Sequence, residues 1–291
     1  MKPPPFAYHR PESLDAALGL LAEYGDDAKI LAGGQSLLPT LSLRVAQPGH
    51  LIDISGLSEL TSIRESDGGL ALGSGVRHSV AERSAVVRER NPLMALALPL
   101  IGHPAIRNRG TIGGSLAHAD PAAELPAVAV ALDAEMVVRS TRGERTVTAE
   151  EFFVTFLTTA LEPDEVLVEI RFPAIPAGAG WDFQEVSRRH GDFALVGVGS
   201  MIRLDQQGAI ADARLAFTGV GGTPFRAHDA EQLLIGQQPT PEAFAAAADD
   251  AAGRLEPHAD IHAPSEYRRH VANVLARRSL AAAAQRARSN G

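Results

Sequence analysis

Two short glycine runs, each joined to small polar residues, constrain this chain more than any other feature of its sequence. The first, residues 32–41, reads AGGQSLLPTL, and the second, residues 110–115, reads GTIGGS. Adjacent glycines carry no Cβ, so the backbone turns sharply and successive N–H groups can point into one concavity. Such a concavity binds anions. The pattern predicts two loops that grip one anionic linkage, such as a pyrophosphate, from both sides.

Neither run matches a standard nucleotide-binding signature. The Walker pattern requires a closing Gly-Lys-Ser or Gly-Lys-Thr, and the dinucleotide fingerprint G-x-G-x-x-G is missing from both runs. Each run taken by itself is also consistent with a tight turn and no ligand. The pair of runs, each with flanking hydroxyl groups, favours a ligand over two unrelated turns.

Composition excludes several classes of function. The chain has 291 residues, 45% of them hydrophobic and 21% charged, which is typical of a globular protein with a full core. A net charge of −8 argues against a nucleic-acid binder, because phosphate contacts need basic patches. The absence of cysteine rules out disulfides, cysteine-ligated iron–sulfur clusters and cysteine-ligated metals.

The distribution of apolar residues predicts a protein located in an aqueous compartment. The first fifteen residues have no apolar core of the kind found in signal peptides, and no unbroken apolar run is long enough to span a bilayer. We therefore expect a cytoplasmic protein without a transmembrane segment.

The first 176 residues predict a mixture of helices and short strands. Ser13 caps a helix of helical apolar spacing, and a buried strand precedes the first glycine run. A hairpin turns at residues 67–69, where Asp-Gly-Gly supplies the turn. Two buried apolar helices follow, one running from Asn91 to Ile101 and one opened by Asp120 and Pro121.

The remaining residues predict a separate sheet with helices. Residues 174–180, rich in proline, glycine and alanine, are the best linker in the chain. Strand-like runs follow at 181–187, 193–204 and 210–220, and helices start at Thr240 and near Ser265. The fold class is α+β, with mainly antiparallel sheet and a boundary near residue 177.

The two glycine runs together resemble the FAD-binding, or medium, subunit of molybdenum hydroxylases, the family of carbon monoxide dehydrogenase and xanthine dehydrogenase. The resemblance rests on residues 32–55 and 103–127, extends to RRHGDFALVG at 188–197, and covers almost the whole chain. It implies a two-subdomain FAD-binding fold of the vanillyl-alcohol-oxidase-like (PCMH) type over residues 1–176, with subdomains 1–56 and 57–176. A small C-terminal domain of the carbon monoxide dehydrogenase flavoprotein type, with a short antiparallel sheet and helices, follows over 177–291.

The resemblance also implies which residues hold the FAD diphosphate and the adenosine. The family's first glycine run wraps the diphosphate and maps onto Ala32, Gly33, Gly34, Gln35, Ser36 and Leu37. Its second run supplies Thr111, Gly114 and Ser115. The acidic residue that meets the adenosine ribose matches Glu124.

Residues near the flavin follow from the same resemblance. Ile101 stands where some relatives place an aromatic ring near the flavin, and Leu167 and Gln184 match positions that line the cofactor in distant relatives. Asp192 and Phe193 lie in a segment that approaches the isoalloxazine in relatives and can gate access to it.

The resemblance implies that the chain transfers electrons within a complex and has neither a metal site nor catalytic residues of its own. In the family, a large molybdenum–pterin subunit oxidises the substrate, and [2Fe-2S] clusters on a small subunit pass the electrons to non-covalently bound FAD. An external acceptor then receives them, and the complex is often a dimer of heterotrimers. The substrate, whether carbon monoxide, a purine, an aldehyde or an N-heterocycle, and the acceptor stay open at this stage.

Three groups of charged residues have two interpretations each. His118 and Asp120 form an acid–base pair or, as we expect, Asp120 caps the helix that begins at Pro121. Arg107 and Arg109 meet phosphate or a protein partner, or are simply solvated. The arginine-rich last helix docks on an acidic partner or presents a charged face to solvent.

Two alternative functions compete with the electron-transfer subunit. The first is a stand-alone FAD-dependent oxidase or dehydrogenase, which would show turnover on a small substrate as a lone chain. The second is a non-catalytic nucleotide-binding assembly protein, which a flavin spectrum in the purified protein would exclude.

Overall fold

Three sheets, each covered by helices, make up the protein in the computed structural model, which describes residues 2–290. A three-stranded parallel sheet comes first, a five-stranded antiparallel sheet second, and a four-stranded antiparallel sheet third. The predicted α+β class is confirmed. The parallel first sheet is the one departure from the mainly antiparallel expectation.

The first sheet presents the first glycine run at the end of a strand. Its strand order is β1-β3-β2, and the run follows β2 directly. Ser13 caps α1 as predicted, since its Oγ accepts from the N–H of Ala16 at 3.2 Å. The elements are β1 (Ala7–His9), α1 (Leu14–Tyr24), the 3-10 helix Gly25–Asp27, β2 (Ala28–Leu31), α2 (Leu37–Ser42) and β3 (His50–Asp53).

The second sheet carries the second glycine run on a helix packed against it. Its strand order is β4-β5-β10-β6-β7, with β8 and β9 forming a separate hairpin. The elements are the 3-10 helix Ser58–Leu60, β4 (Ile63–Ser66), β5 (Gly69–Gly73), α3 (His78–Arg83), α4 (Ala85–Arg90), α5 (Pro92–Ala97), the 3-10 helix Leu98–Leu100, α6 (Pro104–Arg107), α7 (Ile112–His118), α8 (Glu124–Ala131), β6 (Glu135–Ser140), β7 (Gly143–Thr148), α9 (Ala149–Phe152), β8 (Phe153–Thr155), β9 (Thr158–Thr159) and β10 (Val166–Phe172).

Two helix boundaries in this part differ from the sequence-based prediction. The helix capped by Asn91 ends at Ala97 and continues as a 3-10 turn, because Pro99 cannot donate an intrahelical hydrogen bond. The helix predicted from Pro121 begins at Glu124. Asp120 accepts from the N–H of Ala122 at 2.9 Å and so stabilises a turn before the helix rather than capping it.

The third sheet is a meander that packs one face against the C-terminal helix. The predicted strands at 181–187, 193–204 and 210–220 are confirmed. The elements are β11 (Gly180–Ser187), β12 (Ala194–Leu204), β13 (Ile210–Thr218), β14 (Phe225–Arg226), α10 (His228–Leu234), α11 (Pro241–Arg254) and α12 (Ser265–Asn290).

The arginines of α12 bind within this third part of the protein. Arg268 donates to the carbonyl of Leu195 at 2.5 Å, and Arg277 lies 2.6 Å from Asp249. Arg286 pairs with buried Asp182 at 2.7 Å. Arg268 and Arg286 therefore hold the helix against its own sheet, and Arg277 joins it to α11. Arg278 and Arg288 are exposed. Across the described residues, 2–290, no helix combines the length and the apolar character needed to cross a bilayer.

Candidate functional site

The two glycine runs meet in the folded chain. A Cβ added to Gly33 would collide with the carbonyl oxygen of Arg109 and lie 2.7 Å from the Cα of Gly110. A Cβ added to Gly114 would lie 3.9 Å from the Cβ of Ala32. The first run, on the parallel sheet, thus touches the second run, on the antiparallel sheet, as one gripping site requires.

The first run presents a row of free N–H groups. Within residues 2–290, the backbone N–H groups of residues 33–37 donate to no other protein group. Gly34 has a φ of +71°, a conformation that glycine adopts without strain, and it lets the chain reverse before α2 begins. The side chain of Gln35 folds back onto the carbonyl of Gly33 at 3.1 Å. A turn with successive free N–H groups has the form that suits an anion.

The second run differs, because its N–H groups, apart from that of Thr111, already have partners within residues 2–290. Ile112 donates to the carbonyl of Val76 and Gly113 to that of Ser74, both at 2.8 Å. Gly114 donates to Oγ1 of Thr111 at 3.0 Å, which makes Thr111 the cap of α7. The expectation that both runs present free N–H groups is therefore wrong for the second run. Its hydroxyl groups and the N–H of Thr111 remain for a ligand.

The glycines of the second run serve close packing instead. A Cβ on Gly113 would lie 2.7 Å from the Cα of Ser74, at the end of β5. Gly110 packs against the ring of His78, whose Nε2 lies 2.9 Å from the carbonyl oxygen of Thr111. Burial lowers the pKa of His78 to about 4, so the ring is neutral at neutral pH.

A small cleft opens between the two runs and contains two arginines. Arg77 and Arg109 line it together with Ala32 and Thr111; the rest of the lining is Ile54, Ser55, Thr61 and Gly75. Arg107 is not in the cleft: it pairs with Glu82 at 2.9 Å and donates to the carbonyls of residues 99, 101 and 102. The cleft therefore offers positive charge and hydroxyl groups where the two runs touch, and Ala32, which precedes the free N–H groups, is its contact with the first run.

Glu124 is a buried carboxyl at the start of α8, with 3% of its surface exposed. Burial, together with the nearby carboxyls of Glu185 and Asp120, raises its pKa to about 8. A buried carboxyl held this way lacks a compensating cation, so a ligand that donates hydrogen bonds would stabilise it.

Ile101 and the segment before Phe193 come together at another edge of the protein. A Cβ on Gly191 would lie 2.6 Å from the ring of His103, so the loop of residues 188–193 packs on the loop that follows Ile101. Phe193 itself is 58% exposed. An exposed aromatic ring at a loop end can move, as a gating residue must.

Leu167 and Gln184 lie away from the cleft. Leu167 is buried in β10, opposite Val138 of β6, inside the core of the second sheet. Gln184 lies on β11, where its Nε2 donates to Asp182 at 2.8 Å. Their contact with a cofactor stays a prediction.

Arg77, Ser55 and Thr61 were missed by the sequence-based analysis. Each stands outside both glycine runs, and no motif marks it. The only local signal is that Arg77 follows the strand β5 and a Gly-Val pair, which is typical of a loop leaving a sheet. The fold, rather than the sequence pattern, brings these residues to the cleft.

Comparison with known proteins identifies two family matches along the chain. The FAD binding domain in molybdopterin dehydrogenase matches residues 4–175, and the CO dehydrogenase flavoprotein C-terminal domain matches residues 181–283. The chain is 44% identical to the 6-hydroxypseudooxynicotine dehydrogenase complex subunit alpha of Paenarthrobacter nicotinovorans, with 99% of this chain and 97% of that protein covered. It is 41% identical to the carbon monoxide dehydrogenase medium chain of Hydrogenophaga pseudoflava, with 97% and 98% covered.

A solved structure has the same fold over nearly the full length. It is carbon monoxide dehydrogenase from Hydrogenophaga pseudoflava lacking the Mo-pyranopterin moiety of the molybdenum cofactor. The TM-score is 0.96 at 43% identity, and 98% of this chain and 99% of that one are covered.

Proposed function

Since the chain belongs to the family of FAD-binding subunits of molybdopterin dehydrogenases, as predicted from its glycine runs, we propose that it carries non-covalently bound FAD in the cleft between those runs and transfers electrons within a molybdenum hydroxylase. The observation that supports the site best is the row of free N–H groups over residues 33–37, beside Arg77 and Arg109. The proposed FAD-binding unit is residues 1–176, in subdomains 1–56 and 57–176. The C-terminal unit is residues 177–291.

The residues present fit an FAD diphosphate. Free backbone N–H groups and guanidinium groups are the donors that bind phosphate oxygens in proteins. The missing Cβ of Gly33 leaves space where the two loops touch, and a larger residue would fill it. Ala32, Gly34, Gln35, Ser36 and Leu37 complete the first side of the proposed site. Thr111, Gly114 and Ser115 form the second side, where hydroxyl groups supply the hydrogen bonds.

The adenosine and flavin ends are proposed at the two edges of this cleft. Glu124 accepts hydrogen bonds from the hydroxyls of the adenosine ribose, which relieves its burial without a partner. Ile101 and Phe193 flank the flavin, and Leu167 lies behind it. The 188–193 loop, exposed at Phe193, sets how far solvent and the external acceptor approach the ring.

Bound FAD supplies the redox chemistry, taking electrons singly from one-electron carriers and releasing them as a pair. The chain's own residues hold the diphosphate, orient the ring and limit water. We propose that the donor is a [2Fe-2S] cluster, since this chain has no cysteine to ligate one itself. In the proposed complex, a partner subunit carries the clusters and another carries the molybdenum–pterin cofactor, in a dimer of heterotrimers.

The proposal is tested by purifying the chain from its native host and identifying what accompanies it. We expect a yellow complex with stoichiometric FAD, together with one large and one small chain. In this complex the substrate of the large subunit should bleach the flavin absorbance. A lone chain that turns over a small substrate would instead support the stand-alone oxidase or dehydrogenase. A colourless chain without flavin would contradict the proposal.

A further inference from the structure

The two faces of β11 differ in what they contact. Gln184 stands opposite Val198, which stands opposite Phe217, and both of these belong to the core shared with α12. Side chains in one such row share a face of the sheet, and successive residues alternate between faces. Gln184 therefore faces the C-terminal helix, and its neighbour Glu185 faces the opposite way.

The face that carries Glu185 lies against the FAD-binding unit. Glu185 stands opposite Gly197, which stands opposite Thr218. Oγ1 of Thr218 donates to the carbonyl oxygens of Pro121 at 2.6 Å and Ala123 at 2.8 Å, directly before Glu124. The row thus leads from Glu185 across the sheet to the start of α8.

A glycine allows Glu185 and Thr218 to pack closely on this face. The central residue of the row, Gly197, has no side chain, and a Cβ there would meet Cγ2 of Thr218 at 2.7 Å and Cβ of Glu185 at 3.6 Å. The carboxyl of Glu185 has a buried oxygen, Oε2, with no hydrogen-bond partner in residues 2–290. Unpartnered buried carboxyl oxygens are uncommon in folded proteins and need an explanation.

No neighbouring cation stabilises this carboxyl. Burial raises the pKa of Glu185 to about 7, and its charge in turn raises the pKa of Glu124. Two carboxyls in one buried region repel each other. Oε2 of Glu185 is left without a donor, which a ligand rich in hydrogen-bond donors would supply.

We propose that Glu185, not Gln184, is the β11 residue that contacts the cofactor, and that it accepts hydrogen bonds from FAD hydroxyl or N–H groups beside Glu124. This inference rests on the proposed function. FAD offers such donors in both halves: the ribose hydroxyls of the adenosine, and the ribityl hydroxyls and ring N–H of the flavin. Glu185 is then a binding residue of the site that no glycine motif reveals.

The test measures FAD and ADP affinity of the full-length apo-protein by titration calorimetry at pH 8, where Glu185 is mostly ionised. Glu185→Ala should weaken FAD binding about ten- to hundredfold, the loss of one hydrogen bond to a charged group. Glu185→Gln, which keeps one acceptor oxygen, should lose less. Loss of both FAD and ADP affinity assigns the contact to the adenosine half, and loss of FAD affinity alone assigns it to the flavin half.

Thermal unfolding of the apo-variants separates binding from packing. Glu185→Gln removes the charge of an unpartnered carboxylate beside Glu124. At pH 8 the apo-protein of this variant should therefore have a higher Tm than the original chain, while its FAD affinity is lower. A residue that only packs would lower both. The matched control is Glu256→Gln at an exposed carboxyl after α11, which should keep FAD affinity within about twofold of the original chain. A larger loss of affinity in Gln184→Ala than in Glu185→Ala would overturn the assignment to Glu185.

Two further results would overturn the inference: FAD affinity within about twofold of the original chain in Glu185→Ala, or a drop in Tm that accompanies the drop in affinity. Failure of the proposed function gives a different result. In that case the unaltered apo-protein binds no FAD at all, whatever stands at position 185.

Discussion

The two glycine runs have similar sequences and different physical roles. In the first, residues 33–37 leave their N–H groups free for the proposed ligand, although Gly33 also packs against the backbone of residues 109 and 110. In the second, every N–H group from Ile112 to Ser115 has a partner within the protein, so glycine serves the fit of α7 against Ser74. A Gly-Gly pair with neighbouring hydroxyls therefore identifies a place where backbones come close. Whether a ligand or another strand fills that place depends on the fold.

Among variants that test the different roles of the two runs, Gly33→Val should cause the largest loss of bound FAD. The new side chain meets the backbone of residues 109 and 110 where the two runs touch. We expect purified protein with no detectable FAD, measured by flavin absorbance after release from the protein. Gly19→Ala is the control, because a Cβ at position 19 of α1 meets nothing within 4 Å. Full flavin occupancy in Gly33→Val would contradict our placement of the diphosphate.

Ser36→Asp should separate ligand binding from stability in the first run. Ser36 precedes α2 without making a side-chain cap, so an aspartate there can cap the helix and leave the apo-protein Tm unchanged or higher. Its negative charge beside the diphosphate should raise the Kd for FAD by about a hundredfold or more. Titration of apo-protein with FAD checks this, with the neutral capping variant Ser36→Asn expected to bind FAD nearly normally. Equal affinities in both variants would show that the free N–H groups face away from the ligand.

Gly113→Ala should lower the stability of the protein, because this glycine allows close packing in the second run. The added methyl overlaps Ser74, and overpacking of this kind costs about 1–3 kcal/mol in the free energy of unfolding. Urea denaturation of the apo-protein measures it. The FAD affinity of the folded fraction should change little, in contrast to Ser36→Asp. A large loss of affinity with unchanged stability would mean that the second run binds the diphosphate through its backbone after all.

The smallest effect is expected from Ser115→Ala. Within residues 2–290, the hydroxyl of Ser115 has no hydrogen-bond partner, so its removal should leave the apo-protein Tm unchanged. Loss of one hydrogen bond to the ligand should weaken FAD binding about three- to tenfold. Ser289→Ala, at the exposed end of α12, is a matched control. Unchanged affinity would remove Ser115 from the proposed site.

Local chemistry made much of the fold predictable from the sequence. The hairpin at Asp67 and Gly68 forms because both residues adopt positive φ, at 50° and 79°, which Asp and Gly tolerate in such turns. The three strands of the last sheet were located because they are long, apolar and separated by glycine-containing turns. Helix starts were harder: Asp120 stabilises a turn instead of a cap, and both outcomes suit the pair Asp-Pro.

The candidate site was predictable only where a motif marks it. Glycine runs identify residues 32–37 and 110–115, whereas Arg77 reaches the cleft through the fold. The face of β11 could not be read from WDFQEV, because both faces of the strand are largely buried and the usual apolar–polar alternation is lost. The sequence-based analysis took Gln184 from the resemblance to distant relatives, while the pairing register places Glu185 on the side of α8.

The hydroxyl of Thr218 joins the two halves of the chain at one buried point, where it serves two carbonyl oxygens of the turn before α8 at once. Separating the two halves would break these bonds, together with the bond from the N–H of Gly219 to the carbonyl of Pro121, and would leave buried polar atoms without partners. Residues 177–291 are thus held in place against the start of α8. Under the proposed function, the exposed loop that ends at Phe193 can vary among relatives while this buried contact stays unchanged.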